Sequence, residues 1–504
     1  MMNFRGPITM RLKNSFILFI VTLFLVSLYT CKSDKGTPEL GAYPTAVGKI
    51  IVNKCAVPGC HDSRGSSVSA GLDLSTWETM FRGSDIGADL IPFRSDFSSV
   101  LSFVNTYPDL GLSLLPIMPY GKTALTRDEV LTLKNLINQG APNENGFVKF
   151  SDNPLRKKIY LTNQGCDVVT VFDEASSIQM RYVSVGKTPA IESPHEIQVS
   201  PDGKYWYVLF NNGNFLQRFN TSDDSPAGEI DYPVSGNWNT MTISSDSKDV
   251  YVVDYSPSAW ILHLDLVNMT VKELWGGSSN NIFISPHGSE INKTNDTVYI
   301  TAQTGNFIYK IPVNNWTAYT LVSLQPGQAP VSTSSLDIHE MTWSPDHSKY
   351  FVTCQKSDEV RIVKTSNDSV LAVIKLNKDS FPQDLSISTT TNYLFVTCQE
   401  DTITKPGSRG SVAVIDYVNN SLVTQLFTGW QPNGISVDDA QKLVFVANRN
   451  LVKGGPAPHH TGYCGGRNGY VTFIDMNTLL LVRGANNNEK RTEVSVDPYS
   501  MTSR

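Results

Sequence analysis

Residues 193–210 read SPHEIQVSPDGKYWYVLF: a proline, a polar residue, a half-apolar run, a tight Asp-Gly turn and a second apolar run. Such a pattern predicts two strands joined by a short turn. The stretch recurs. NWNTMTISSDSKDVYVVD (237–254) and IHEMTWSPDHSKYFVTCQ (338–355) superimpose on it without gaps through their central residues. PHGSEINKTNDTVYITAQ (286–303), PQDLSISTTTNYLFVTCQ (382–399) and PNGISVDDAQKLVFVANR (432–449) follow the same pattern. With His195 as the phase mark, the equivalents are Asn239, His287, His339, Gln383 and Asn433, at spacings of 44, 48, 52, 44 and 50 residues. That is the period of a propeller blade.

Each unit reads as an inner strand, a turn, a second strand, a loop and two further strands. A seventh unit opens incomplete at KKIYLTNQGCDVVTVFD (157–173), with its first strand missing. The tail TEVSVDPYS (492–500) has the pattern to supply that strand and close the ring. Closure would leave no free sheet edge between the first and last blades. Residues 155–500 resemble the YVTN-type seven-bladed β-propellers, a group whose functions are too varied for the fold to name one.

The whole chain sets further bounds. At 504 residues it is too long for one ordinary core. Charged residues make up 17%, the net charge is −6, and no run of Lys or Arg marks a nucleic-acid face. Near the N-terminus, Arg11 and Lys13 precede an uncharged run from Ser15 to Tyr29, and Cys31 follows. This is an export signal, short for a stable membrane span. LYTC (28–31) resembles the lipobox of bacterial lipoproteins, and the KSDKG behind it resembles the surface-export tag of some Bacteroidetes lipoproteins. The resemblance implies lipidation of Cys31 and attachment to the outer membrane, on its periplasmic or cell-surface side. Setting Cys31 aside leaves an even six of the seven cysteines in an oxidising compartment.

KCAVPGCHD (54–62) places Cys55 and Cys60 five positions apart with His61 directly after the second. The common haem-attachment signal has two residues between its cysteines; here there are four. A haem also needs axial ligands and an apolar shell. Met118-Pro119, within LLPIMPYGKTALTRDEVLTLKNLINQGAP (114–142), offers a thioether on a rigid turn. Thr126 and Glu129 open a helix with a capping box, and Val130, Leu131, Leu133, Leu136 and Ile137 form its apolar face. Residues 44–146 resemble class-I cytochromes c, and more closely the cytochrome-like domains of Bacteroidetes and Planctomycetes surface proteins. Those have a C-x4-C-H variant, a GLDLSTWE-type segment (here 71–78) and an MP…INQGAP ending. The resemblance implies haem c, bound covalently to Cys55 and Cys60 with His61 and Met118 on the iron. The competing readings are a Cys55–Cys60 disulfide, which leaves Met118 and the matching tail unexplained, and zinc, which wants four ligands where three sit.

In the propeller, the phase-mark residues are expected on the loops entering each innermost strand, ringing one end of the central channel. The loops from second to third strands emerge on the same face, and two are long: 398–411, and 447–469 with His459, His460 and Cys464. His195, His287, His339, His459 and His460, five of the eight histidines, would converge on one funnel. Imidazole is a common transition-metal ligand, so the funnel is a candidate site for copper, another metal or a second haem. Polar groups at strand entries also serve simply to satisfy loop amides around a wet channel. His263 and His347 read as packing or surface residues. Cys166 and Cys464 fall on equivalent loops of blades one and seven, where a disulfide would lock the ring. Cys354 and Cys398 end matching second strands and read as small buried apolar residues.

The expected architecture is a signal peptide and anchor cysteine (1–31), a tether (32–43), a small all-α cytochrome c-like domain (44–146), a linker (147–156) and an all-β seven-bladed propeller (157–500). The expected function is electron transfer to or from a site or partner on the histidine-rich face. That partner is a redox protein or a small-molecule substrate. The alternative is a binding or scaffold lipoprotein whose haem is structural or sensory. A hydrolytic propeller such as a lactonase has little support, because no nucleophile–base pair is apparent.

Overall fold

The computed structural model describes residues 39–277, 282–458, 464–484 and 487–504. Cys31 with the export segment, and His459 and His460, lie outside them. Among the described residues, four α-helices precede the first strand: α1 (Thr45–Lys54), α2 (Trp77–Met80), α3 (Ser99–Val104) and α4 (Arg127–Asn138). Val47, Ile50 and Ile51 give α1 one buried face, and Val130, Leu133, Leu136 and Ile137 do the same for α4. The two faces pack together at the helical spacing of three and four. The Thr126/Glu129 capping box forms, and Glu129 also takes a hydrogen bond from Lys54 Nζ (2.8 Å), tying the start of α4 to the end of α1. Trp77 is buried and donates its indole N–H to the Ala141 carbonyl (2.9 Å).

From Lys158 onward the described residues form seven antiparallel sheets of four or five strands. Their middle strands are apolar on both faces because each blade packs between two others. Val168–Asp173, VVTVFD, is buried at every position. At about 1.5–3 kcal/mol for each fully buried Val, Ile or Phe, this stacking is the main cohesive force of the ring.

The innermost strands are Pro194–Val199, Trp238–Ile243, Pro286–Ile291, Ile338–Trp343, Pro382–Ile387, Pro432–Asp438 and, closing the circle, Pro498–Ser503. The closing strand corrects the sequence reading. The segment 492–500 does not act as one strand. The backbone turns left-handed at Asp497 (φ 58°) and divides it. Arg491–Val496 pairs with Asn468–Asp475 on the outside of blade seven, and Pro498–Ser503 pairs with Lys158–Asn163 to complete blade one. The propeller therefore runs to Ser503, past the expected limit at residue 500.

A second correction concerns the phase mark. His195 and its equivalents do not precede the innermost strands; each is the second residue of its strand. The strand-opening residue pairs with the end of the second strand, as Pro194 does with Phe210, and a β-bulge follows at once. In every blade the register shifts at this point, so the phase-mark residue drops out of the ladder. Bulges of this kind re-aim a side chain.

The ring positions are also tied from blade to blade. The hydroxyls of Thr301, Thr353 and Thr397 donate to the carbonyls of His339, Gln383 and Asn433 in the following blades, at 2.8, 3.0 and 2.7 Å. Cys166 and Cys464 are disulfide-bonded with Cα atoms 5.5 Å apart, linking blades one and seven. Cys354 and Cys398 are free and fully buried.

The helical unit sits against the outer edge of the ring. Phe97 stacks on Tyr182 (4.4 Å between centroids), Ala88 N–H donates to Gln179 Oε1 (2.9 Å), and Glu493 N–H donates to the Ile86 carbonyl (2.8 Å). Gln179 and Tyr182 belong to the outermost strand of blade one, and Glu493 to the outer strand of blade seven. The residues read as a linker, 147–156, are anchored: Phe150 is buried, and Arg156 pairs with Asp173 (2.7 Å).

The interblade hydroxyls lead to a stability expectation. Thr397→Val keeps the side-chain shape but leaves the Asn433 carbonyl without its donor, and should cost about 1–3 kcal/mol in urea unfolding. A loss below about 0.5 kcal/mol, the scatter of neutral surface changes, would show that this bond does not hold adjacent blades.

Candidate functional site

Two places gather chemistry: one end of the propeller channel, and the end of α1. The channel is built by the bulges. Seven phase-mark residues ring it in blade order: Tyr499, His195, Asn239, His287, His339, Gln383 and Asn433. Tyr499 was not foreseen, because its strand was misplaced in the sequence reading. It lies against His195, with ring centroids 4.3 Å apart, and the guanidinium of Arg449 sits 4.9 Å from the Tyr499 ring centre.

His287 and His339 come together, with ring centroids 3.9 Å apart. Both are buried, and neither Nδ1 makes a well-aligned hydrogen bond within the chain. Glu340, the residue after His339, brings its Oε1 to 3.1 Å from His287 Nδ1 and 4.0 Å from His339 Nδ1. One donor atom from each of the three residues lies within 4.8 Å of the other two. His195 is not part of this cluster. Asn239, which lies between His195 and His287 in the ring, is buried with both amide atoms lacking a partner in the chain.

The glycine of blade four makes the approach possible. A Cβ on Gly288 would lie 2.4 Å from the His339 carbonyl oxygen and 2.8 Å from Glu340 Oε2. Its equivalents in blades two and five are Glu196 and Glu340, and in blade six Asp384. Glu290, two residues further along blade four, is a fourth channel carboxyl. Sequence reasoning missed all four acids. The signal was present in the repeated His-Glu of PHEI and IHEM and the Gln-Asp of PQDL, acids at one fixed position in the strand.

Burial governs the protonation of these groups. It pushes His195 down to about 3, with His287 and Arg449 adding to the effect, and His287 down to about 4. It drives His339 well below the ordinary range, helped by His287 and His195. The carboxyls move the other way. Burial pushes Glu340 up to about 8, and Glu290 and Asp384 also to about 8, with Glu340 contributing to both. Glu196 rises well above its ordinary value for the same two reasons. At neutral pH without a cation the imidazoles are uncharged, so their lone pairs are available, and the acids hold their protons.

Among the described residues, the other histidines of the propeller have packing roles. His263 stacks on Tyr251 and bonds Asp249 (2.8 Å), and His347 stacks on Trp343.

The second place is the loop after α1. Cys55 caps the helix, its N–H donating to the Ile51 carbonyl. The four intervening residues form a turn with Gly59 left-handed (φ 82°), and the chain closes on itself where His61 N–H donates to the Cys55 carbonyl (3.2 Å). Cys55 and Cys60 are free thiols. His61 Nδ1 lies 3.3 Å from the Leu72 carbonyl. A carbonyl only accepts, so the proton belongs on Nδ1 and Nε2 keeps its lone pair. Cys55, Ala56 and Met118 all pack against the core cluster that includes α1 and α4. Met118 N–H donates to the Phe103 carbonyl (2.8 Å), and beside it Leu115 and Tyr120 are 82% and 76% exposed. Burial pushes the Cys55 thiol up to about 11, which disfavours the thiolate that zinc requires.

The fold and its channel define the class: a seven-bladed β-propeller, entered through a helical N-terminal unit. No protein-family model matches the chain, and no curated protein matches it. Among solved structures, a Bacteroides fragilis protein provisionally named a 6-phosphogluconolactonase is 13% identical, with a TM-score of 0.51 over 71% of this chain and 100% of its own. That likeness is one of fold. Kuenenia stuttgartiensis hydrazine synthase (16% identity, 62% of this chain and 90% of that one) gives 0.47. The dihydro-haem d1 dehydrogenase NirN (13%, 76% and 88%) gives 0.45.

The channel acids lead to a pH expectation. Glu290 has a folded value above its unfolded one, so its contribution to stability is complete below about pH 4.5 and is lost as the pH rises through about 8. The histidines act oppositely: their contribution is present above about 6.5 and lost as the pH falls towards about 4. Between pH 6.5 and 8 the acids dominate, and metal-free protein should lose stability with rising pH. Glu290→Gln should make that slope shallower, by at most about 1.4 kcal/mol per pH unit. An unchanged slope in urea unfolding would show that Glu290 is already ionised.

Proposed function

We propose that this chain is an exported electron-transfer protein, in which a monohaem c-type cytochrome unit is carried on the propeller and lipid-anchored to the outer membrane through Cys31. The observation that carries this reading is the end of α1: two free thiols, and next to the second a histidine whose Nδ1 is engaged by the Leu72 carbonyl. The donor set fits haem c. Cys55 and Cys60 would hold it by thioether bonds, with His61 Nε2 and Met118 Sδ on the iron. When bound, the haem supplies one-electron exchange, and a His/Met pair favours a higher potential than bis-His.

The chain's own residues do the positioning. The Leu72 carbonyl orients the His61 ring. The Phe103 carbonyl fixes the Met118 backbone, and the α1–α4 core excludes water on one side. Leu115 and Tyr120 beside Met118 offer an exposed apolar edge through which a redox partner would approach. The helical unit contacts the outermost strand of blade one, three strand spacings from the innermost. At about 4.8 Å each, roughly 14 Å of blade separates the helical unit from the channel. The channel therefore acts as a second site, for a small-molecule substrate or a bound metal, rather than as a pocket for the same haem.

Protein produced with a cytochrome c maturation system should keep its haem through denaturing electrophoresis. Met118→Ala should abolish the weak near-infrared methionine–iron band while the covalent haem stays. Loss of pigment on denaturation overturns thioether attachment, and an unchanged band overturns the methionine ligand.

Anchoring has its own test. Cys31→Ser should move the protein from the membrane to the soluble fraction, because the lipid on that cysteine supplies the attachment. A variant that still sediments with membranes to the same extent removes the lipoprotein reading.

A further inference from the structure

We propose that His287, His339 and Glu340 form a binding site for one divalent transition-metal ion of the Cu2+, Zn2+ or Fe2+ type at the propeller channel. This deepens the reading of the channel as a second site and stands or falls independently of the haem.

Three observations carry it. The first is geometry. Metal bonds to nitrogen and carboxylate oxygen are about 2.0–2.2 Å, so the donors around one ion lie within roughly 4 Å of one another. Here the Nδ1–Oε1 separations are already 3.1 and 4.0 Å, and the whole set falls within 4.8 Å. Small side-chain adjustments would close the shell. Among the described residues this is the group of histidine, cysteine and acidic donors that comes together in this way.

The second is the lack of any other partner. His287 and His339 are 8% and 7% exposed, and neither Nδ1 makes a well-aligned hydrogen bond within the chain, the nearest acceptor being Glu340 Oε1 at 3.1 Å from His287. A buried polar atom without a partner costs about 1–3 kcal/mol, and here two of them sit side by side facing a carboxyl group. A cation held by the two Nδ1 atoms and Glu340 would satisfy both nitrogens at once.

The third is how the chain makes room. Gly288 stands where blades two, five and six carry Glu196, Glu340 and Asp384, and a side chain there would collide with the His339 carbonyl and with Glu340 itself. The glycine of blade four and the glutamate of blade five are therefore complementary.

The donor set decides the kind of ion. Two imidazole nitrogens with one carboxylate suit borderline transition metals, whereas Ca2+ and Mg2+ seek all-oxygen sites. Three protein ligands leave coordination positions open for water or a substrate, the arrangement of a catalytic rather than a structural centre.

The test uses the full-length protein, stripped with a chelator and titrated with Cu2+, Zn2+ and Ca2+ by calorimetry. Haem absorbance is recorded on the same sample. One Cu2+ or Zn2+ should bind per chain and Ca2+ should not, and the Cu2+ spectrum in electron paramagnetic resonance should show coupling to two imidazole nitrogens. His287→Ala and His339→Ala should each weaken binding at least a hundredfold, and Glu340→Gln about tenfold, whereas His195→Ala should change it less than threefold. No saturable binding overturns the proposal, as does a copper signal that survives His287→Ala or lacks nitrogen coupling. If the variants fail to fold, the wild-type spectrum and stoichiometry still decide. Copper bound by protein without haem refutes the cytochrome reading alone; haem without copper refutes this one alone.

Discussion

Each blade begins with the same hydrogen bond, and the channel depends on it. The carbonyl of the residue before the innermost strand accepts the N–H of the residue after the second strand. This occurs at Asp497–Gln164, Ser193–Asn211, Asn237–Tyr255, Ser285–Gln303, Asp337–Gln355, Phe381–Gln399 and Gln431–Arg449, with distances of 2.8–3.2 Å. In six of the seven, all but Asn237, the accepting residue is left-handed, with φ between 43° and 59°, although none is glycine. Such a backbone carries strain unless its surroundings hold it. Carboxylates help to do so: Asp167 accepts from Ser193 N–H (2.9 Å) and Asp358 from Phe381 N–H (3.1 Å). The turn then delivers the chain into the bulge, and the bulge places the ring residue. A change in that one bond would re-aim the side chains lining the channel.

Given that placement, burial sets the chemistry. Charged carboxylates and imidazolium ions are both costly where water is scarce. Without a cation, the channel therefore pairs neutral histidines with protonated acids, opposite to what the same residues do on a surface. Glu340 shows the consequence most clearly, since the nearby His287 is itself held neutral and does not keep the carboxyl ionised. The guanidinium beside the ring, that of Arg449, is paired with Asp497 (2.6 Å).

The helical unit obeys a separate logic. Its thiols and His61 are positioned by local turns at the end of α1, and its apolar core continues without a break into blades one and two. Phe97 on Tyr182 and the hydrogen bonds to blades one and seven set it on the rim. The thiols and His61 thus lie outside the ring, whereas the His287–His339–Glu340 cluster lies on blades four and five at the channel.

What the sequence determined by itself is what repeats or what is local. The blade period, the ring residues from His195 to Asn433, the Thr126/Glu129 capping box and the buried Cys354 and Cys398 were legible because each follows from spacing within a few turns or from a pattern repeated six times. The closing strand was misread because TEVSVDPYS alternates smoothly in sequence; the division comes from Asp497, whose left-handed turn is held by Arg449, 48 positions away. Tyr499 joined the ring only through that division. The His287–His339–Glu340 cluster needed tertiary structure for a similar reason. Its members lie on adjacent blades 52 residues apart, and their approach depends on the absence of a Cβ at Gly288, a condition no local pattern expresses. Spacing along the chain specifies the strands; which side chains meet is decided where one blade packs against the next.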